Sequence, residues 1–320
     1  MNYRLHIQLL VSLCLVLVLT LTGCAQSSSS LARESTGSDK LQVVATTTIV
    51  ADIVQQVGGQ AVEVSSLIPA GADPHAFEPS PRDIAIVADA QAVFMSGGGL
   101  EAFMESTLRS AGGSARVIVL SEDLIAAENQ TSEDHDLEGE VDHLHAGDPH
   151  VWMDPNNVMD WVAAIETSLQ ELDPANAELY EANAAAYSQK LQELDAWIRQ
   201  QVEQIPAENR KLVTDHQIFG AFASRYGFEQ VGAVIPSISS SAEPTAQELA
   251  ALEDAIRAQG VHAIFISSTV NQNLAQQVAH DTGIQLVTLY TDSLTGPEGP
   301  ASSYLEFIRY NVSEIVNALK

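Results

Sequence analysis

Cysteine is almost absent from this chain of 320 residues, which contains only two. Cys14 falls within an apolar run that spans about residues 9–21 and follows the basic Arg4. That run is too short and wrongly flanked for a stable membrane span, and it is typical of an export signal. Once such a signal is removed, Cys24 has no other cysteine to pair with, so the mature chain forms no internal disulfide.

Basic residues are also scarce, with 14 Lys and Arg against 42 Asp and Glu, and the net charge is −28. A strongly negative surface argues against nucleic acid and anionic lipid surfaces as partners, and it mildly favours cations. The charge alone identifies no function, because many exported proteins are acidic. The sequence also lacks a His-Glu-x-x-His motif, the helical signature of many zinc proteases.

The apolar run ends in Leu21-Thr22-Gly23-Cys24, which resembles the lipobox of bacterial lipoproteins, where cleavage precedes a cysteine that then carries the lipid. We therefore expect a signal peptide at residues 1–23, lipid on Cys24, and a flexible polar tether over residues 24–40. This predicts a lipid-anchored protein on the outer face of the cytoplasmic membrane or in the periplasm. The alternative is a plain secretory signal with an accidental cysteine.

Short β-branched runs alternate with longer helical patterns on both sides of the middle of the chain. This alternation predicts right-handed βαβ units and mainly parallel sheets, hence an α/β fold. Close to 300 residues remain after the signal, enough for two such lobes. The predicted strands are Leu41–Thr47, Val62–Ile68, Ala92–Met95, Arg116–Leu120, Lys211–Thr214, Glu229–Val234, His262–Ile266 and Gln285–Leu289.

A long amphipathic helix is predicted between the two halves, because apolar residues recur there at intervals of three and four. Asp173 is its expected N-cap, Pro174 occupies the first helical position, and Pro206 ends it. Those bounds give roughly 45–50 Å, which favours a helix that spans two bodies over one packed on a single domain. The predicted division is an N-terminal lobe at 41–172, a linking helix at 173–206 and a C-terminal lobe at 207–320.

One phrase occurs twice in the first half of the chain: Asp73-Pro74-His75, and again Asp148-Pro149-His150, each followed by an aromatic residue, a carboxylate and a proline. The proline stiffens the backbone that carries the histidine. A nearby aromatic ring can shield the imidazole from water, and a carboxylate can accept its second ring N–H. Both phrases follow predicted strands, where open α/β sheets bind ligands. The alternative is a turn histidine whose ring is satisfied internally.

The second half offers two candidates at equivalent places. His216 follows the predicted strand at 211–214, and Asp292 follows the one at 285–289. Two side chains from each lobe would then meet across one cleft. An isolated aspartate after a strand is more often a helix cap, so Asp292 has that alternative too.

Together these residues resemble the metal-binding lipoproteins that feed ABC importers of zinc or manganese, the cluster 9 or ZnuA/TroA-like solute-binding proteins. The resemblance implies two α/β lobes joined by one rigid helix, a monomer without enzymatic activity, and an importer permease with its ATPase as partners. It places the metal ligands at His75, His150, His216 and Asp292. The further motifs that carry it are Thr214-Asp215-His216, Phe219-Gly220-Ala221-Phe222, Ser237-Ile238-Ser239, Ala242-Glu243-Pro244-Thr245 and Leu289-Tyr290-Thr291-Asp292-Ser293-Leu294.

The resemblance also bears on the metal that is transported. Manganese-type members tend to carry a glutamate at the third ligand position, where this chain has His216. Three imidazoles and one carboxylate suit Zn²⁺, whereas Mn²⁺ prefers more oxygen, so we expect zinc and keep manganese as the alternative. One departure is Ser267-Ser268, where relatives often have a glutamate that would support the cleft.

The expected mechanism is capture of the ion by both lobes with a modest relative motion, followed by delivery. A zinc hydrolase is the alternative from another class, but Asp292 would close the coordination and no separate general base is evident. A surface adhesin is a third hypothesis. The acidic stretch Glu128–His145, with three histidines, is expected to be mobile, and either collects metal loosely or is only a solvated loop.

Overall fold

Two four-stranded parallel sheets form the framework of the protein. The computed structural model describes residues 40–125 and 147–320, so the predicted signal peptide, Cys24, nearly all of the tether and the stretch Glu128–His145 lie outside the described residues. The strand order is β2-β1-β3-β4 in the first sheet and β6-β5-β7-β8 in the second. The strands are β1 Leu41–Ala45, β2 Val62–Ser66, β3 Ala92–Met95, β4 Arg116–Val119, β5 Lys211–Thr214, β6 Glu229–Ala233, β7 Ala263–Ser267 and β8 Gln285–Leu289.

The two halves repeat one topology, because the second sheet has the strand order of the first shifted by four strands. All pairs within each sheet are parallel, which confirms the predicted α/β fold class. In each sheet the first and third strands of the half lie at the centre, so their carboxyl ends flank the point where the strand order reverses. Ligands bind at such points in open α/β sheets.

The α-helices cover these sheets and connect the two halves. None in the described ranges is both long and apolar enough to cross a membrane. The helices are α1 Thr48–Gly58, α2 Pro81–Asp89, α3 Met104–Ala111, α4 Pro155–Leu172, α5 Ala177–Val202, α6 Gly220–Tyr226, α7 Ala246–Gln259, α8 Asn273–Thr282 and α9 Tyr304–Leu319.

The long helix between the halves is α5, which has 26 residues and is therefore about 39 Å long. It packs against α1 and α4 of the first half and against α9 of the second. It thus contacts both lobes, as the two-body interpretation requires. The exact lobe boundaries at 172 and 207 stay predictions. Its buried stripe consists of Tyr180, Ala184, Tyr187, Leu191, Leu194, Ile198 and Val202.

The predicted bounds of this helix are wider than those of α5, which ends at Val202 and not at Pro206. Residues Pro174–Asn176 form a separate 3-10 turn, and α5 begins only at Ala177. Asp173 caps no backbone N–H there; its Oδ2 instead accepts hydrogen bonds from Asn176 Nδ2 at 2.6 Å and from the Tyr180 hydroxyl at 2.8 Å. The Asp-Pro signal marks the turn before the helix rather than the helix itself.

Candidate metal site

The four side chains predicted as ligands converge where the carboxyl ends of the two sheets face each other. One donor atom from each of His75, His150, His216 and Asp292 lies within 4.8 Å of the others. His75 Nε2 lies 3.2 Å from His150 Nε2, and His216 Nε2 lies 4.0 Å from Asp292 Oδ1. Donors bound at about 2.0 Å to a tetrahedral ion are separated by roughly 3.3 Å, so a small shift would bring these atoms onto one cation.

His75 is held by the first Asp-Pro-His phrase, which follows β2 and forms the 3-10 turn Pro74–Ala76. Asp73 accepts the backbone N–H of His75 through Oδ1 at 2.9 Å, which fixes the turn. The ring is only partly buried, unlike the other three side chains. Burial, and next the proximity of His150, lower the pKa of His75 to about 4. The ring is therefore neutral near pH 7, with a lone pair available to a metal.

His150 is fully buried and is oriented by the aspartate of its own phrase. Its Nδ1 lies 2.7 Å from Asp148 Oδ1, which also accepts the His150 backbone N–H at 3.0 Å. Burial raises the pKa of Asp148, but the hydrogen bond with His150 outweighs it, and the net shift is downward. An ionised Asp148 holds the proton of the ring on Nδ1 and leaves Nε2 directed into the cleft.

The aromatic residue of this phrase shields the ring, as the sequence predicts. The Trp152 ring lies edge-on to the His150 ring at 5.2 Å between centroids. The later carboxylate of the phrase has another role, because Asp154 caps α4 through the Asn156 N–H and accepts a hydrogen bond from Arg225 Nε.

His216 is oriented in the same way from the second lobe, directly after β5. It is fully buried, and its Nδ1 lies 3.1 Å from Oδ1 of Asp215. The other carboxylate oxygen of Asp215 accepts the backbone N–H of Ser267 at 2.7 Å. Burial lowers the pKa of His216, but the hydrogen bond with Asp215 and the charge of Asp292 oppose it, and the pKa is raised overall. Nε2 again faces the cleft.

Asp292 lies after β8 and is only 2% exposed. It is not a helix cap, since α9 begins at Tyr304 and is capped by Ser303. Burial raises the pKa of Asp292, whereas the neighbouring His216 and His150 lower it, and the net shift is downward. The carboxylate is therefore ionised in the cleft. Its Oδ2 lies within hydrogen-bond distance of three hydroxyl groups, those of Ser267, Thr269 and Thr291.

Two of the converging atoms, His216 Nε2 and Asp292 Oδ1, are buried without a hydrogen-bond partner among the described residues. Buried polar atoms are normally hydrogen-bonded, because an unpaired buried atom loses its hydrogen bonds to water and gains none from the protein. A divalent cation between them would satisfy both atoms at once. Three imidazole nitrogens and one carboxylate oxygen are also a chemically suitable donor set for such an ion. The residues present therefore fit a bound metal.

A hydrogen-bonded path joins the ligands of the two lobes. Trp152, two residues after His150, donates from Nε1 to the carbonyl oxygen of Thr291 at 2.9 Å. The carbonyl oxygen of Trp152 accepts the Tyr304 hydroxyl at 2.7 Å. Because Thr291 precedes Asp292, the positions of one ligand from each lobe are set by the same buried indole.

Sequence reasoning did not name the carboxylates that bind the candidate histidines or the hydroxyls that contact Asp292. Asp148 and Asp215 carried a usable signal, because each stands within two residues of a candidate histidine. The three hydroxyls that contact Asp292 gave no signal in the sequence. Ser267 and Thr269 come close to Thr291 only because β7 pairs with β8. The two other histidines among the described residues lie elsewhere, with His262 exposed just before β7 and the side chain of His280 85% exposed on α8.

Comparison with protein families gives one match that covers most of the chain. Residues 43–318 match the family described as zinc-uptake complex component A, periplasmic. The manganese-binding lipoprotein MntA of Halalkalibacterium halodurans is 33% identical over 307 residues, which are 95% of this chain and 96% of the relative. The iron-binding protein YfeA of Yersinia pestis is 34% identical over 279 residues, which are 86% of this chain and 85% of the relative.

The fold is similar to that of solved metal-binding proteins. The periplasmic zinc-binding protein TroA of Treponema pallidum aligns with a TM-score of 0.76 and 28% identity, covering 88% of this chain and 99% of the other. The names of these relatives and of the matched family refer to zinc, manganese or iron. These names agree on a transition metal and differ in which one.

Proposed function

The chain belongs to the family of zinc-uptake complex component A, and we propose that it captures zinc outside the cytoplasm and delivers it to an ABC importer. Proteins of this family are solute-binding components of such importers, so this is a metal-binding protein and not an enzyme.

The observation that carries the proposal is the convergence of His75, His150, His216 and Asp292, two from each lobe, with buried atoms that lack other partners. Three nitrogens and one oxygen suit the tetrahedral preference of Zn²⁺, whereas Mn²⁺ favours more oxygen donors. All four donors come from the protein, so the ion is held as cargo and no open position remains for catalysis.

Delivery requires partners that lie outside this chain. We propose that the permease of an ABC importer receives the ion and that its ATPase drives transport. Cys24 would carry the lipid that keeps the protein at the outer face of the membrane, and the protein would act as a monomer. The long helix α5, packed on both lobes, supports a small rather than a wide opening during release.

The proposal is tested by metal analysis of protein purified without added metal, followed by competition of zinc against manganese for the metal-free protein. We expect zinc to be the retained metal and to displace manganese at equal concentration. Retention of manganese in the presence of equimolar zinc would contradict the assignment of the cargo. Failure to bind either ion would contradict the site itself.

A further inference from the structure

The two carboxylate oxygens of Asp292 have different surroundings. Oδ1 faces His216 Nε2 and has no hydrogen-bond partner among the described residues. Oδ2 contacts Thr291 Oγ1 at 2.7 Å, Ser267 Oγ at 3.1 Å and Thr269 Oγ1 at 3.2 Å. We call these three residues the hydroxyl cluster.

Counting protons shows how many bonds Oδ2 accepts at one time. Ser267 and Thr269 also contact each other, with 2.6 Å between their hydroxyl oxygens. Each hydroxyl has a single proton, so at that distance one of the two donates to the other. The remaining proton of the pair and that of Thr291 are then available to Asp292. Two donors fill the two lone pairs of Oδ2, and only Oδ1 remains for a metal.

We propose that the hydroxyl cluster holds Asp292 to coordination through Oδ1 alone and thereby selects a four-coordinate ion over one that needs more oxygen donors. The proposal rests on the proposed function, since it concerns which metal the same four ligands accept. Ser267, Thr269 and Thr291 are positioning residues that touch the carboxylate and not the ion.

The chemistry of the two candidate ions explains why this matters. Zn²⁺ is satisfied by four donors of the nitrogen and oxygen type present here. Mn²⁺ prefers a higher coordination number with more oxygen, and a carboxylate that binds through both oxygens is one way to supply it. Occupation of Oδ2 by hydroxyl protons removes that fifth donor. Water would have to provide it, in a cleft where three of the four candidate ligands are buried.

The hydroxyl cluster is fixed by the sheet and is not a loose surface feature. Ser267 is the last residue of β7 and pairs in register with Leu289 of β8, two residues before Thr291. Its side chain is fully buried, and its backbone N–H is bonded to Asp215, the partner of His216. The carboxyl end of β7 therefore helps to orient His216 through Asp215, and it restricts Asp292 to coordination through one oxygen.

The experiment compares metal-free wild type with Ser267→Ala/Thr269→Val, which removes two of the three hydroxyls. Zinc and manganese affinities are measured by chelator competition, and Co²⁺ is used as a spectroscopic probe of coordination number. We expect the preference for zinc over manganese to fall by about ten- to a hundredfold, the usual effect of changing a group that supports a ligand. We also expect the visible absorption of bound Co²⁺ to weaken as its coordination number rises above four.

Two matched variants control for packing. Ser268→Ala makes the same change at the adjacent, exposed residue, and Thr269→Ser keeps the hydroxyl while removing a methyl group. Both should keep the zinc preference and the Co²⁺ spectrum of wild type. If the double variant is poorly folded by circular dichroism, Thr291→Val, which removes one of the two donated protons while keeping the size of the side chain, gives the same comparison.

The outcomes separate this inference from the proposed function. If wild type binds zinc through the four ligands but the double variant and Thr291→Val leave both the metal preference and the Co²⁺ spectrum unchanged, the role of the hydroxyl cluster is wrong and the function stands. A wild-type Co²⁺ spectrum typical of five or six donors would also overturn the inference. Loss of all metal binding in wild type would instead contradict the proposed function.

Discussion

Ser240 donates a hydrogen bond of 2.6 Å from its hydroxyl to Oδ2 of Asp73, across the cleft between the lobes. The other oxygen of Asp73 accepts the backbone N–H of His75. One carboxylate thus holds the turn that carries a candidate ligand and also binds the opposite lobe. Because His75 is the partly exposed member of the four, separation of the lobes at this side would expose the site first.

Replacing Ser240 with alanine should speed the release of metal. A hydrogen bond to a charged acceptor at a partly exposed site is worth about 1 kcal/mol, so we expect dissociation to become roughly fivefold faster. The rate is measured by stopped flow with excess chelator. Ser313→Ala, which removes a hydroxyl bonded within α9, is the control. Equal release rates for the two variants would show that the Ser240 contact does not restrain the cleft.

Replacing His216 with alanine should weaken zinc binding by at least about a hundredfold, because it removes a nitrogen donor and leaves Asp292 facing an empty space. The matched control is His280→Ala, since that side chain is 85% exposed and contacts Asp281, its neighbour in α8. Zinc affinity is measured by competition with a chromophoric chelator. A similar loss in both variants would exclude a specific role for His216.

Zinc affinity should fall as the pH is lowered from 7.5 to 5. A histidine binds metal only when neutral, so protons compete below its pKa in the metal-free protein. The pKa of His216 is raised above its ordinary value of 6.5, so a proton competes with zinc for this ring throughout the lower part of this range. The pKa of His75 is about 4, so that ring stays neutral throughout.

The pH dependence therefore has a defined slope. One protonating ligand gives about a tenfold loss of affinity per pH unit below its pKa. We expect at least this slope between pH 6 and 5, and a steeper one near pH 4, where His75 also gains a proton. A chelator whose own proton binding is known measures it. An affinity that is the same at pH 7.5 and 5 would show that histidines are not the main ligands.

The strands and candidate ligands were predictable because their signals are local. β3, β5 and β8 have the predicted bounds, since each is a short apolar or β-branched run that ends where the pattern changes. Asp-Pro-His likewise holds a histidine by means of its own neighbours. The start of α5 was not predictable, because Asp173 bonds the side chains of Asn176 and Tyr180 in place of backbone N–H groups. The hydroxyl cluster could not be predicted from the sequence for a different reason: its residues come together only when β7 pairs with β8.

Gly98 lies in the run of glycines that follows β3. Its φ is +66°, and a Cβ atom added there would lie 2.7 Å from the Cα atom of Pro149, the residue before His150. Gly112 has nearly the same φ, +60°, but a Cβ atom there would meet nothing within 4 Å. Both glycines have a left-handed backbone, but only at Gly98 would an added Cβ atom contact another residue.

Alanine at either position should lower the free energy of unfolding by about 1–2 kcal/mol, because a left-handed backbone disfavours a side chain. Only Gly98→Ala should also weaken zinc binding. The clash falls on backbone, and the ring of Pro149 restricts the rotation that would relieve it, so the displacement is passed to His150. Thermal unfolding of the metal-free variants measures the shared effect, and zinc competition measures the difference. If Gly98→Ala and Gly112→Ala bind zinc equally, the position of His150 does not depend on this contact, and the glycine serves only the turn.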